Sequence, residues 1–181
     1  VLNLSQNPKL KRVICSENAL TTLDLSNNTA LEDVNCSDNA LSALDLSSNS
    51  KLTNLNASGN IREITLTDNT FDLSSLPGFD ASRMSGLTGG TVSGNTLTVD
   101  GNAAVVTYSY DLGYTGTELD DEEKDVIFTL AIAGRGTDID INKTNFPDKD
   151  FRELLLDKEA NIDRNQDGKL STWEIALVQD I

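Results

Sequence analysis

One stretch near the carboxyl end has side chains spaced for coordination chemistry: Asp163-Arg-Asn-Gln-Asp-Gly-Lys-Leu-Ser-Thr-Trp-Glu174. Calcium gathers roughly six to eight hard oxygens in a flexible shell, and a twelve-residue loop can supply them from fixed positions. Asp163, Asn165 and Asp167 stand at positions 1, 3 and 5 with side-chain oxygens, and Gly168 at position 6 permits the sharp turn. Lys169 offers its backbone carbonyl, Ser171 a direct or water-mediated contact, and Glu174 a bidentate carboxylate, while Leu170 packs inward. The spacing therefore predicts calcium as a cofactor, held by Asp163, Asn165, Asp167, Lys169, Ser171 and Glu174. Ser171 and Glu174 also spell a helix capping box. The Glu174 side chain cannot serve both uses at once, and a capping box leaves Asp163, Asn165, Asp167 and Gly168 unexplained.

Little else in the chain is equipped for reaction chemistry. There is no histidine among the 181 residues, which removes histidine triads, general bases and metal ligands together. Serine and threonine are abundant, but with no histidine or lysine pair to activate them they read as strand and turn residues, so no enzyme is expected. A net charge of −15 argues against nucleic acid and anionic membrane as partners. The excess is greatest in residues 61–134, and the run Glu118-Leu-Asp-Asp-Glu-Glu-Lys-Asp125 is expected to be a solvated hairpin loop. No stretch is apolar enough to span or insert into a membrane. The sequence opens in mid-pattern, so targeting and anchoring segments are expected elsewhere.

The flanks of the loop are expected to position it. Pro147-Asp-Lys-Asp begins a helix with Phe151, Leu154 and Leu155 on one face. Trp173, Ile175, Val178 and Ile181 suggest a second short helix after it.

The first 60 residues repeat with a period of 21. Leu10-Lys-Arg-Val-Ile-Cys-Ser-Glu-Asn-Ala-Leu20 aligns with Leu31-Glu-Asp-Val-Asn-Cys-Ser-Asp-Asn-Ala-Leu41 and Leu52-Thr-Asn-Leu-Asn-Ala-Ser-Gly-Asn60. Val13, Val34 and Leu55 form one inward column, and Leu2, Leu23 and Leu44 another. Cys15, Cys36 and Ala57 form a column of small apolar groups, so the cysteines read as unpaired core thiols, with a disulfide between neighbouring turns as the alternative. Asn18, Asn39 and Asn60, and Asn7, Asn28 and Asn49, are expected to bond backbone groups left unpaired inside the turns. The outward positions are Arg12, Ile14 and Glu17, then Asp33, Asn35 and Asp38, then Asn54, Asn56 and Gly59. That face is the candidate site for a protein or glycan partner, although it has no aromatic anchor of the kind that dominates binding hot spots.

From Ile61 the rhythm changes to short alternating runs. Ile61–Thr67 reads as a strand extending the last repeat, and Thr91–Asp100 as a hairpin around Gly94-Asn95. Val105–Tyr110 and Val126–Ile132 are the clearest strands. Together these predict a small β-sandwich that covers the open end of the repeats.

The pattern L-x-x-L-x-C-S-x-N-x-L resembles the leucine-rich repeats of bacterial cell-surface proteins, internalin-like in the broad sense. Phe71–Asp80 and Leu87–Val99 look like the Ig-like domain that follows such arrays. Asn145–Leu155 with Glu174–Ile181 resembles the EF-hand or dockerin-like helical module found beside them. The resemblance implies a mainly β, multidomain chain: leucine-rich repeats over 1–66, an Ig-like sandwich over 67–134 and an EF-hand-like module over 135–181. It also implies an extracellular, non-enzymatic adhesion or interaction module with a structural calcium site. A spacer joining repeat arrays, and a dockerin-like assembly module of a secreted polysaccharide-degrading system, are the alternatives. Self-association through open repeat or cap ends is a further expected contact.

Overall fold

The computed structural model describes residues 2–135, 139–141, 144–145, 147–157, 168–170 and 174. Among these the chain is mainly β, with twelve strands in four small sheets and two short α-helices. The first sheet is built from the repeats. Strands β1 (Arg12–Ile14), β2 (Asp33–Asn35) and β3 (Asn54–Asn56) lie parallel, in the order β1-β2-β3. Val13 pairs with Val34 and Val34 with Leu55, so each turn sits one full sequence period beyond the last. Each strand is three residues long, with only its middle side chain buried, because the chain must turn again after the inward residue.

Below the strands, the columns foreseen from sequence close the core. Leu31, Leu41, Leu46, Leu52 and Cys36 have no exposed surface, and Leu25 and Leu44 almost none. Cys15 and Cys36 are free thiols. Burial, followed by the neighbouring Cys15, pushes the Cys36 thiol up to about 12.

The asparagine columns carry the hydrogen bonding of the stack. The Asn39 amide nitrogen lies 2.9 Å from the Cys15 carbonyl of the preceding turn, and 3.2 and 3.0 Å from Cys36 and Ser37 of its own turn. Its oxygen accepts the Leu20 N–H at 2.9 Å. Asn60 repeats the arrangement, donating to the Cys36 and Ala57 carbonyls and accepting from the Leu41 N–H. In the second column Asn28 donates to Leu4 and Asn7, and Asn49 to Leu25 and Asn28. Asn18, on the first turn, donates only to Cys15 and Ser16 of its own turn and is exposed.

Strands β4 to β10 form two further sheets. Strand β4 (Ile61–Ile64) leaves the repeats and runs parallel to β10 (Ile127–Ile132) in a sheet ordered β4-β10-β9-β6. Strand β9 is Val105–Tyr110 and β6 is Met84–Thr88. Ile61–Thr67 thus differs from its expected role, since its strand joins the second layer instead of extending the repeat sheet. β5 (Thr70–Asp72), β8 (Thr96–Val99) and β7 (Gly90–Ser93) form an antiparallel sheet in that order. A tight turn enters β5, with Asp68 at φ +49° and Asn69 at φ +65°, a geometry that matches strand twist and that Asp and Asn tolerate.

These sheets and the repeats share one apolar core, running from Val13 through Leu55 to Phe128 and Ile132. Phe79, Tyr108, Tyr110 and Phe128 meet with ring centroids 5.3 to 6.1 Å apart. Tyrosine hydroxyls stitch this layer to the repeats: Tyr108 donates to the Ser42 carbonyl and Tyr114 to that of Leu52, both at 2.8 Å. Arg83 lies over the Tyr110 ring and reaches Asp45 at 3.4 Å. The Ser47 N–H, with that guanidinium, holds the Asp45 carboxyl below its usual range. Its contribution to stability is complete above the ordinary carboxylate range and fades as pH falls through the lowered value.

The acidic run lies between the antiparallel strands β9 and β10, with Glu118, Asp120, Asp121 and Asp125 exposed as expected of a solvated hairpin connection, but it is more ordered than a plain loop. Leu119 is buried, and Asp121–Lys124 is a single helical turn, α1, closed by a capping box between Asp120 and Glu123. Glu123 also accepts the Leu55 N–H of β3 at 3.2 Å. Local chemistry explains the change. Asp120 is a strong N-cap, and the β3 edge has a backbone donor that needs an acceptor.

The last part holds β11 (Ile139–Asp140), α2 (Lys149–Leu155) and β12 (Lys169–Leu170), with β11 and β12 antiparallel. Asp148 caps α2 and Pro147 precedes the cap, so the helix starts two residues after the proline. Leu155 is buried, whereas Phe151 and Leu154 of the same face are 39% and 41% exposed.

Two outcomes follow for solution. Asn39→Ala removes bonds to two turns and strands buried carbonyls, so denaturant unfolding should show a loss of about 3 kcal/mol, against under about 1 for Asn18→Ala. In thiol titration near neutral pH, Cys36 should stay unreactive in the native protein and react only on unfolding, because burial disfavours its thiolate.

Candidate functional site

The outward repeat face is a small parallel sheet whose exposed side chains stand in columns. Arg12 and Asp33 are adjacent in one column and form an ion pair at 2.9 Å. Beside them Lys11 and Glu32 pair at 2.6 Å, residues that belong with this face although their column was not among the sequence candidates. The signal for it was present, since Lys11, Glu32 and Thr53 recur at the same 21-residue step. Thr53 continues that column by donating to the Glu32 carbonyl. Asn54, next in the first column, is exposed and donates to Thr53.

The second column is Ile14, Asn35 and Asn56. Ile14 is 59% exposed and is the apolar spot of the face. The two asparagines are less available than their outward placement suggests. Asn35 accepts the Ser37 N–H, and Asn56 accepts both the N–H and the hydroxyl of Ser58, so both amide oxygens serve local turns.

The third column is Glu17, Asp38 and Gly59, all with positive φ, at +56°, +52° and +66°. These residues turn the chain out of each strand, and the Asn that follows can then point inward. A Cβ added at Gly59 would meet the Asp38 carboxylate, the movable end of a side chain, and glycine also takes the left-handed φ without strain. Glu17 and Asp38 are thus turn residues that also reach the surface.

Of the proposed calcium ligands, Lys169 and Glu174 fall among the described residues, while Asp163, Asn165, Asp167 and Ser171 lie outside them. So does the expected second helix apart from Glu174. Gly168 has φ +79°, the left-handed turn that position 6 requires. Its carbonyl accepts the Ile141 N–H at 2.9 Å. Leu170, at position 8, pairs with Ile139 and is buried, and Glu174 is 1% exposed. Among the described residues no cluster of three or more Asp, Glu, Cys or His is arranged for a metal ion. No helix among them is long and apolar enough to cross a membrane.

No family model matches the chain, and no curated protein matches it. Among solved structures, it is similar to the functional domain of InlJ from Listeria monocytogenes, which includes a cysteine ladder. That likeness has 22% identity and a TM-score of 0.38, and covers 73% of this chain but 36% of the other.

The ion pairs on the repeat face are solvent-exposed, so each adds little to stability. A double-mutant cycle on Arg12→Ala and Asp33→Ala, followed by denaturant unfolding, should give a coupling below about 1 kcal/mol.

Proposed function

We propose that this chain is a non-enzymatic interaction module of a bacterial surface or secreted protein. In this reading a short leucine-rich-repeat solenoid presents a binding face, an Ig-like sandwich closes its lower end, and an EF-hand-like module carries structural calcium. The observation that supports it best is the parallel register of β1, β2 and β3 at one sequence period, with a buried asparagine joining each turn to the one before. Such stacking makes a rigid, regular surface from very short strands, a geometry suited to recognition. The partner is a protein or glycan that engages Ile14 and the polar groups around it, including Arg12, Glu17, Asp33, Asn35, Asp38, Asn54 and Asn56.

The calcium reading rests on the loop spacing, and the turn at Gly168, the buried Leu170 and the buried Glu174 are compatible with it. Asp163, Asn165, Asp167 and Glu174 would hold the ion with the Lys169 carbonyl and Ser171. Calcium would supply a fixed positive centre there and staple the module without chemical work.

A spacer is the second reading, favoured by the self-paired charges Arg12–Asp33 and Lys11–Glu32. The two separate in a screen of extracellular-matrix proteins and glycans against wild type and Ile14→Asp. A ligand retained by wild type and lost in the variant supports interaction, whereas ligands indifferent to the change, or none, favour the spacer.

Calcium titrated calorimetrically into chelator-treated protein should bind at one site, with a dissociation constant on the order of 10⁻⁴–10⁻³ M. Asp163→Ala should abolish the heat. Unchanged binding in that variant would overturn the assignment.

A further inference from the structure

The lower edge of the repeat sheet has an opening that neither the binding face nor the calcium loop uses. Strand β3 is the last in the order β1-β2-β3. In a parallel strand the backbone groups of successive residues point alternately to the two neighbours. Asn56 faces β2, since its carbonyl accepts the Cys36 N–H at 2.8 Å. The backbone of Leu55 and Ala57 therefore faces outward. There the Leu55 N–H is met by a side chain, Glu123, standing where a further strand would place a carbonyl.

A second strand edge lies across from it. β10 begins at Ile127, but its pairing with β4 starts only at Thr129, so its first two residues overhang on that side. Ile127 is 54% exposed. Between the two edges runs a groove of about 530 Å³. Leu55, Ala57 and Val126 give it an apolar floor, and Asp120, Glu123 and Asp125 line it with carboxylates.

We propose that this groove docks an extended basic segment of a partner protein, which adds beside β3 as a fourth strand. Addition to an exposed sheet edge draws affinity from main-chain hydrogen bonds and specificity from alternate side chains. A peptide carbonyl takes over the Leu55 N–H, and the released Glu123 carboxylate meets a lysine or arginine of the peptide. An apolar residue of the peptide lies on Ile127, the exposed apolar side chain of the groove, beside the buried Leu55 and Ala57. The charge balance selects the occupant: the walls are acidic, and the net charge of −15 draws cationic chains toward them and repels acidic ones. This site is separate from the outward repeat face, so either can fail without the other.

The test uses the whole chain and a blocked six-residue peptide alternating lysine and valine. Controls are the same peptide with proline at a central position and a glutamate–valine counterpart. Amide resonances are followed by NMR. The expected result is shifts concentrated at Leu55, Ala57 and Ile127, with both control peptides binding at least tenfold more weakly. Asp125→Lys, an exposed change, should weaken the basic peptide at least tenfold while leaving the unfolding transition in place. Equal binding of the proline peptide, or shifts spread over the surface, would reduce the effect to charge attraction and overturn the proposal. So would absence of binding at low salt. Self-association that perturbs the same amides without peptide would overturn it in favour of a second copy of this chain.

Discussion

A chain that coils on itself every 21 residues must bury backbone carbonyls at each inward turn, and the rest of this structure depends on how they are satisfied. Water cannot reach them, and a carbonyl left unpaired there costs on the order of 1–3 kcal/mol. The solution is an inward asparagine, whose amide carries donors and an acceptor together. Asn39 and Asn60 donate to carbonyls on two turns and accept a backbone N–H from the preceding one. Each turn therefore needs the one before it, and that dependence makes the leucine columns register. The left-handed residues Glu17, Asp38 and Gly59 serve the same end, since they turn each strand so that its asparagine can point inward.

The same constraint explains the lower layer. A final turn with no successor would leave its leucines and its strand edge exposed. Here the sheet carrying Tyr108 and Phe128 shares the repeat core, Tyr114 bonds the Leu52 carbonyl, and Glu123 meets the Leu55 N–H. A lean sequence, with 5% aromatic residues, concentrates four of them at this junction, where one cluster serves both parts.

Much of this was legible in the sequence because the repeats carry their own register. Val13, Val34, Leu55, Cys36 and the asparagines stand where the period placed them, and the strands at Val105 and Ile127 follow their β-branched runs. What was not legible depended on long-range pairing. Nothing local in Ile61–Ile64 says that it pairs with β10 instead of β3, and nothing in Glu118–Asp125 says that Glu123 finds a strand edge 68 residues away. On the outward repeat face, outward placement of Asn35 and Asn56 was readable from the period, but the serine two residues on engages each amide. In the loop after α2, Gly168 makes the left-handed turn and Leu170 is buried, as expected from the sequence, while Asp163, Asn165, Asp167 and Ser171 lie outside the described residues.

The central claim is that the asparagine-linked turns and the sheets below them form one cooperative structure. Native-state amide hydrogen exchange tests it most directly, because it resolves the opening of each turn. The account predicts that the amides of Cys36, Leu41 and Leu46 exchange with the same free energy as those of Phe128 and Leu130. Repeat amides exchanging far faster than the β10 amides, in a separate opening event, would contradict it.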